Sequence, residues 1–188
     1  MARLPSITSK NQVAAQYHPI VDRLVESRGA VQGPFTMLMH CPPLAEQVMS
    51  LGHYVRFGGE LDKRVRVLAA MTVARELDAV YVWGAQTAQA RKLGVPEATI
   101  TAVREKHSKG LPPEDAQIVD FTRDLIRKHR VSAAAMTALQ QRFGNFQLIE
   151  LSGTVGYYSM LAMTANATEL EPAKDAEVLN SPHPQGEG

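Results

Sequence analysis

Helix start and stop signals recur along this chain, and they limit most strongly what it can fold into. Apolar residues repeat at intervals of three and four, and glycine or proline follows these repeats. Gly29, Gly94 and Gly144 each stand where such a pattern ends, a position that favours glycine at helix C-termini. Alternation of apolar and polar residues, which is typical of strands, is hard to find. The sequence therefore predicts an all-α single domain of about eight helices joined by short loops.

The predicted helices divide the chain into three regions. Residues 1–29 form an N-terminal helical segment, and residues 30–170 form the main helical domain. The domain includes a long helical pattern over residues 61–77, which follows a pair of glycines. Residues 171–188 contain three prolines and two glycines, and this composition predicts a flexible tail.

Composition and charge exclude several classes of protein. The chain has 20 Lys and Arg against 19 Asp and Glu, and their scatter gives no basic stripe for nucleic acid. The longest apolar stretch, residues 148–164, contains Glu150 and is shorter than the roughly 20 residues of a membrane span. The single cysteine, Cys41, and the lack of an apolar N-terminal run favour the cytoplasm. No metal-ligand spacing occurs, so we expect neither a metal nor another cofactor.

The segment over residues 74–95, ARELDAVYVWGAQTAQARKLGV, carries the most specific motif, and further pieces follow it in a recognisable order. These pieces include Gly33-Pro34-Phe35, Leu51-Gly52, His129-Arg130-Val131-Ser132, Phe143-Gly144 and Gly156-Tyr157-Tyr158. Over about residues 30–170 the set resembles the carboxymuconolactone decarboxylase and alkylhydroperoxidase D superfamily. The resemblance implies a helical array of the alkylhydroperoxidase D-like type. It also implies a homo-oligomer, a trimer or a dimer of trimers, formed through the helices.

The resemblance also implies a proton relay, and the chain has lost it. The family His falls on Gln86, the acid or second Cys four residues earlier on Val82, and the first Cys on Ala79. The upstream Glu falls on Val67. None of these four side chains can titrate. A thiol peroxidase is not expected, because Cys41 lies elsewhere and no second cysteine is present.

Other residues could still support chemistry near this segment. His53 is the preferred replacement base because histidine titrates near neutrality, and Tyr54 could donate a proton. The predicted ligand-binding residues share a helical face with Gln86 or lie in the neighbouring motifs, namely Gln86, Trp83, Val82, Tyr81, Arg56 and His40. In this prediction the aromatic and aliphatic groups pack a flat ligand, and Gln86 and Arg56 hold its oxygens.

The remaining polar groups are interpreted as structural. Cys41, just before two prolines, is expected to be a small buried residue, and Glu76 and Asp78 are expected to be solvated. Tyr157 and Tyr158 could contribute a hydroxyl either to a pocket or to a subunit interface.

The sequence is compatible with three functions. The first is a cofactor-independent lyase or isomerase, similar to a decarboxylase, acting on a small carboxylated unsaturated or aromatic-derived metabolite. The second is a small-molecule-binding protein without catalysis, since the relay is missing. The third is a subunit that completes a heteromeric enzyme with catalytic groups from a partner.

Overall fold

The computed structural model of the protein describes residues 2–172 and 176–179. Within these ranges the chain forms eight α-helices and no strand, which confirms the predicted all-α class. The helices are α1 (His18–Arg28), α2 (Phe35–Leu38), α3 (Pro42–His53), α4 (Lys63–Glu76), α5 (Val80–Lys92), α6 (Glu97–Arg104), α7 (Pro113–Arg127) and α8 (Ala133–Ala167). A π-helical turn, Tyr54–Gly58, follows α3 directly. None of the helices described is both long and apolar enough to cross a bilayer.

Helix α4 is the centre of the molecule and packs against α5, α7 and α8. The run from Val67 to Ala74 is at most 4% exposed, which is expected of a helix that is apolar on every side. Thr72 fits within this run because its hydroxyl donates to the Leu68 carbonyl at 2.8 Å. Asp62 begins α4 by accepting a hydrogen bond from the Arg64 backbone N–H at 2.7 Å.

Helix α8 joins the two hydrophobic clusters of the protein. Its Leu148 and Leu151 pack in the cluster around α4, α5 and α7, whereas Tyr157 and Leu161 pack in the cluster around α1, α2 and α3. Gly144 interrupts α8 with a φ of 66°, so the element consists of two helices that meet at a kink. The sequence predicts this break at the same glycine.

Glu76 is buried, and the prediction that it is solvated is wrong. Its side chain is 1% exposed at the C-terminus of α4, and its Oε1 accepts a hydrogen bond from Arg123 Nε at 3.0 Å. Arg127 donates to the other carboxylate oxygen. The Arg123 side chain is itself only 7% exposed, so α4 and α7 share a buried ion pair. Asp78 remains partly exposed and pairs with Arg75 and Lys106.

Part of the predicted flexible tail packs on the domain. Of residues 171–188, the stretches 173–175 and 180–188 lie outside the described residues. Residues 176–179 follow the surface of α5, and Leu179 is 3% exposed within the cluster around α4. Four residues of the predicted tail therefore pack on the domain, and its flexibility stays a prediction.

Glu177 holds this segment in place. Its Oε1 accepts a hydrogen bond from Trp83 Nε1 at 3.2 Å, and its carboxylate pairs with Arg91 and Arg104. Burial pushes the pKa of Glu177 upward, but the hydrogen bonds from Arg91 and Arg104 outweigh it, so the pKa lies below its usual value. The carboxylate therefore stays ionised and connects α5, α6 and residues 176–179.

Candidate active site

A cleft of about 500 Å³ opens beside α5. Its walls come from α4, α5, α8, the π-helical turn, the end of α1 and the residues leading into α2. Volumes of this size suit small organic ligands. The family-like segment thus forms one wall, and elements distant in sequence form the others.

The lining of the cleft carries four cationic side chains and no carboxylate. Lys63 and Arg66 come from α4, Arg56 from the π-helical turn and Arg28 from the last turn of α1. Within the described residues none of the four takes part in an ion pair. Unneutralised cations in one concave surface create a positive potential that attracts anions.

Local contacts orient the cations of the turn and of α4. Arg66 Nη1 donates to the Val55 carbonyl at 2.6 Å, and its other nitrogens have no hydrogen-bond partner in the described part of the chain. The Arg56 guanidinium lies 4.9 Å from the centre of the Phe57 ring. Both arginines are therefore fixed near the turn with donors available to a ligand.

Two residues of the lining have a buried polar atom without a hydrogen-bond partner among residues 2–172 and 176–179. These atoms are Arg28 Nε and the hydroxyl of Tyr157, a residue that is 3% exposed. The Arg28 guanidinium stacks on Phe35 at 4.3 Å, which fixes its plane. Both atoms lie beneath the surface, and the Tyr157 hydroxyl faces α3, where a Cβ at Gly52 would lie 2.2 Å from its oxygen.

Tyr81 and Tyr158 also line the cleft, and burial raises the pKa of each hydroxyl. For Tyr158 the neighbouring arginines act in the opposite direction but do not cancel the rise. Gly33, with a φ of 60°, lets Tyr81 approach, because a Cβ at this position would lie 2.5 Å from the Tyr81 hydroxyl oxygen. Both hydroxyls are therefore protonated donors near neutral pH.

The positions where the resemblance places the relay converge on this cleft. Val67 of α4 and Val82 and Gln86 of α5 all line it. Ala79 is fully buried and lies outside the lining. The Gln86 amide makes no hydrogen bond within the described chain, so it is free to hold a ligand oxygen or nitrogen. Three of the four positions that the resemblance assigns to a relay therefore line the cleft, and the loss of the relay stays a prediction.

Four of the predicted site residues line the cleft, and four do not. Gln86, Val82, Tyr81 and Arg56 are in the lining. The other four are His53, Tyr54, His40 and Trp83.

The two predicted catalytic residues are engaged outside the cleft. The exposed His53 ring lies 5.5 Å from the Phe57 ring, and the Tyr54 hydroxyl donates to Glu150 Oε1 at 2.6 Å. This hydrogen bond raises the pKa of Tyr54. A catalytic role for either residue stays a prediction, and the geometry gives it no support.

The two other residues outside the lining have structural contacts of their own. His40 is exposed, with Nε2 2.9 Å from the Pro5 carbonyl oxygen. Trp83 is fully buried and donates to Glu177. Cys41 is exposed at the start of α3, so the expectation that it is buried is wrong.

Sequence reasoning missed three of the four cations. Arg28, Lys63 and Arg66 come from two helices that are far apart in sequence and carry no local motif. A weak signal exists for Arg66, which adjoins Val67, one of the relay positions. Within the described ranges, no group of three or more His, Cys, Asp or Glu residues could hold a metal ion.

Comparison with known families agrees with the helical fold. A model of the carboxymuconolactone decarboxylase family matches residues 42–106, which include α3 to α6. The resemblance is thus confirmed: this segment carries the carboxymuconolactone decarboxylase signature, on a fold of the AhpD-like type. No curated protein matches the chain at a significant level.

Solved structures share the fold at low sequence identity. The chain is similar to an uncharacterized peroxidase-related protein with an alkylhydroperoxidase AhpD core from Ralstonia eutropha JMP134, with 17% identity, a TM-score of 0.76 and 93% of each chain covered. A peroxidase-related protein from Silicibacter sp. TM1040 gives 17% identity, a TM-score of 0.72 and the same coverage. The debrominase Bmp8, solved as a cysteine-to-alanine variant in complex with 2,3,4-tribromopyrrole, gives 15% identity and a TM-score of 0.71, covering 93% of this chain and 95% of that one.

Proposed function

We propose that the cleft binds a small organic anion, a carboxylate attached to a flat unsaturated or aromatic group. The observation that carries this proposal is the set of four unneutralised cations without a carboxylate in one lining. The guanidinium groups of Arg28, Arg56 and Arg66 in this lining are the groups that we expect to hold the anionic group. Val67 and Val82 offer an apolar wall to the flat part of the ligand.

Two further features support this assignment, and a third concerns where the protein acts. The Gln86 amide lies in the same lining and can fix a second polar group of the ligand. Debrominase Bmp8, which shares the fold, was solved with a small flat ring compound. The single cysteine, Cys41, suits action in a reducing cytoplasm.

Benzoate and its neutral isostere benzamide provide the first test. We expect saturable benzoate binding by calorimetry, and at least tenfold weaker binding of benzamide, because only the carboxylate pairs with the guanidiniums. Arg28→Gln should weaken benzoate binding by roughly tenfold or more, since a hydrogen bond to a charged group contributes about 1.5 to 3 kcal/mol.

Arg130→Gln is the matched control, because Arg130 is exposed and lies outside the lining. Its affinity for benzoate should equal that of the wild type. Circular dichroism verifies that both variants fold. Equal binding of benzoate and benzamide, or no saturable binding of benzoate up to about 10 mM, would contradict the proposal.

A second candidate function is a cofactor-independent lyase of the decarboxylase kind, and the protonated tyrosines favour it. Loss of CO₂ from a bound carboxylate leaves the electron pair of the broken C–C bond on the ligand carbon. The Tyr158 hydroxyl can protonate that carbon and regain its proton from water. Tyr81 is the alternative donor in the same lining.

Tyr158→Phe separates this function from simple binding. If the protein is a lyase, a ligand that saturates the cleft loses CO₂ on long incubation, and the variant binds it normally with kcat reduced roughly a hundredfold or more. Carbon-13 NMR of the incubated ligand measures the change. Recovery of every bound ligand unaltered would leave binding as the function.

A further inference from the structure

Helix α8 presents an uncharged stripe to the outside of the protein beyond its kink. The stripe positions follow one another at intervals of three and four, so they share one face of the helix. They are Phe146, Ile149, Gly153, Gly156, Met160 and Met163, of which Met160 is half-buried against the cluster around α1, α2 and α3. Phe146, Ile149 and Met163 are 58%, 66% and 57% exposed, which is unusual for large apolar side chains aligned on one helix.

The two glycines at the centre of the stripe indicate a close approach from outside the protomer. A Cβ added at Gly153 or Gly156 would meet nothing within 4 Å, so neither is required by packing among the residues that the structure describes. Each glycine nevertheless destabilises a helix interior by about 1 kcal/mol relative to alanine. Small residues on a helix face let another backbone come near, which accounts for both glycines at once.

Charge is also missing along this face. Between Arg142 and Glu169 the sequence holds one charged residue, Glu150. Its carboxylate is occupied by the Tyr54 hydroxyl and by the backbone N–H groups of Glu60 and Leu61, at 2.6 to 3.0 Å. A solvated helix normally carries charged residues on its outer face, so this length of α8 resembles a buried helix.

The order of residues in the stripe is symmetric about a point between Thr154 and Val155. The two glycines lie at equal distances on either side of that point. Ile149 and Met160 are the next two positions related in this way, and Phe146 and Met163 follow them. Two copies of α8 crossing antiparallel would therefore place each large side chain against a large one, and glycine against glycine. A two-fold interface needs such self-complementarity, because the same surface serves both partners.

From these observations we infer that this face of α8 binds a second copy of the chain, antiparallel and about a two-fold axis. The crossing lies at Gly153 and Gly156, and the apolar residues at both ends cover one another. The interface extends over about 26 Å of helix, from Phe146 to Met163, at 1.5 Å per residue. This assembly is independent of the proposed ligand and adds a specific two-fold contact to the expected oligomer.

Leucine at the two glycines provides the principal test. The double variant Gly153→Leu, Gly156→Leu has room for its new side chains within the protomer and gains helix propensity, so folding is preserved. We expect the wild type to sediment as a dimer or a larger even-numbered oligomer, and the variant to sediment at half that mass or less. Gln141→Leu, exposed on α8 before the kink, is the matched control and should keep the wild-type mass.

Cross-linking tests the antiparallel register. In a Cys41→Ser background, Ile149→Cys combined with Met160→Cys should give covalent dimers with a short bis-maleimide. Ile149→Cys alone should give none, because the two copies of that position lie at opposite ends of the contact. A monomeric wild type, an unchanged mass for the leucine variant, or efficient dimers from Ile149→Cys alone would each overturn the inference.

Discussion

Replacing Glu76 with glutamine should lower the free energy of unfolding by about 3 to 5 kcal/mol, the cost of removing one partner from a buried ion pair. The Glu76 carboxylate is 1% exposed and meets Arg123, whose side chain is 7% exposed. The neutral amide cannot balance the guanidinium charge, and water cannot reach it. The expected loss is large relative to the total stability of a single domain.

Urea unfolding followed by circular dichroism, at one fixed protein concentration, measures this effect. Arg127→Gln is the matched control, because Arg127 binds the same carboxylate but is 46% exposed. Its loss should be within about 1 kcal/mol, as for other exposed ion pairs. A Glu76→Gln variant within about 1 kcal/mol of the wild type would show that the buried pair is not needed for stability.

Trp83 should prove structural, with no direct part in ligand binding. It is fully buried, lies outside the cleft lining and donates to Glu177. Trp83→Ala should cost about 3 to 5 kcal/mol of stability, as is typical when a large aromatic side chain is removed from a core. Trp83→Phe should cost less, because much of the packing remains and only the indole N–H is lost.

Benzoate titration of Trp83→Phe distinguishes a structural role of Trp83 from a direct role in ligand binding. We expect its affinity to match that of the wild type, because the side chains that face the cleft are unchanged. Gln86→Leu gives the comparison, since it removes a polar group from the lining and should alter affinity without comparable loss of stability. Roughly tenfold weaker binding by a well-folded Trp83→Phe variant would instead place the ring in contact with the ligand.

The helices could be predicted from the sequence because their signals are local. The pattern over residues 61–77 corresponds to α4 at Lys63–Glu76, and Gly144 marks the break in α8. Apolar spacing and glycine stops act within one or two turns, so they can be read without the rest of the chain. The resemblance also predicted a pocket beside this segment, and side chains of α5 line the cleft.

The electrostatics of the site could not be predicted in the same way. Arg28 and Arg66 meet in the cleft only because α1 and α4 are brought together by the fold. The residues next to Glu76 in the sequence indicate a solvated side chain, because its buried partner, Arg123, is 47 residues further along the chain. Such pairings depend on tertiary packing, which a local sequence pattern does not predict.

Trp83 and Gln86 show that two residues on nearly the same side of one helix can have different surroundings. Because successive residues are about 100° apart around the helix, Trp83 and Gln86 differ by only about 60°. Gln86 faces the cleft, whereas Trp83 faces the core and the segment around Glu177. A shared helical face therefore predicted proximity correctly but not which side chain borders the cleft.

The lining of the cleft has no His, Cys, Asp or Glu side chain. Burial raises the pKa of the Tyr81 and Tyr158 hydroxyls above the ordinary value for tyrosine, so both stay protonated near neutral pH. The lining therefore contains none of the side-chain types that ordinarily change charge between pH 5 and 8. Changes in acidity within that range cannot switch the site, and its occupancy follows the supply of ligand.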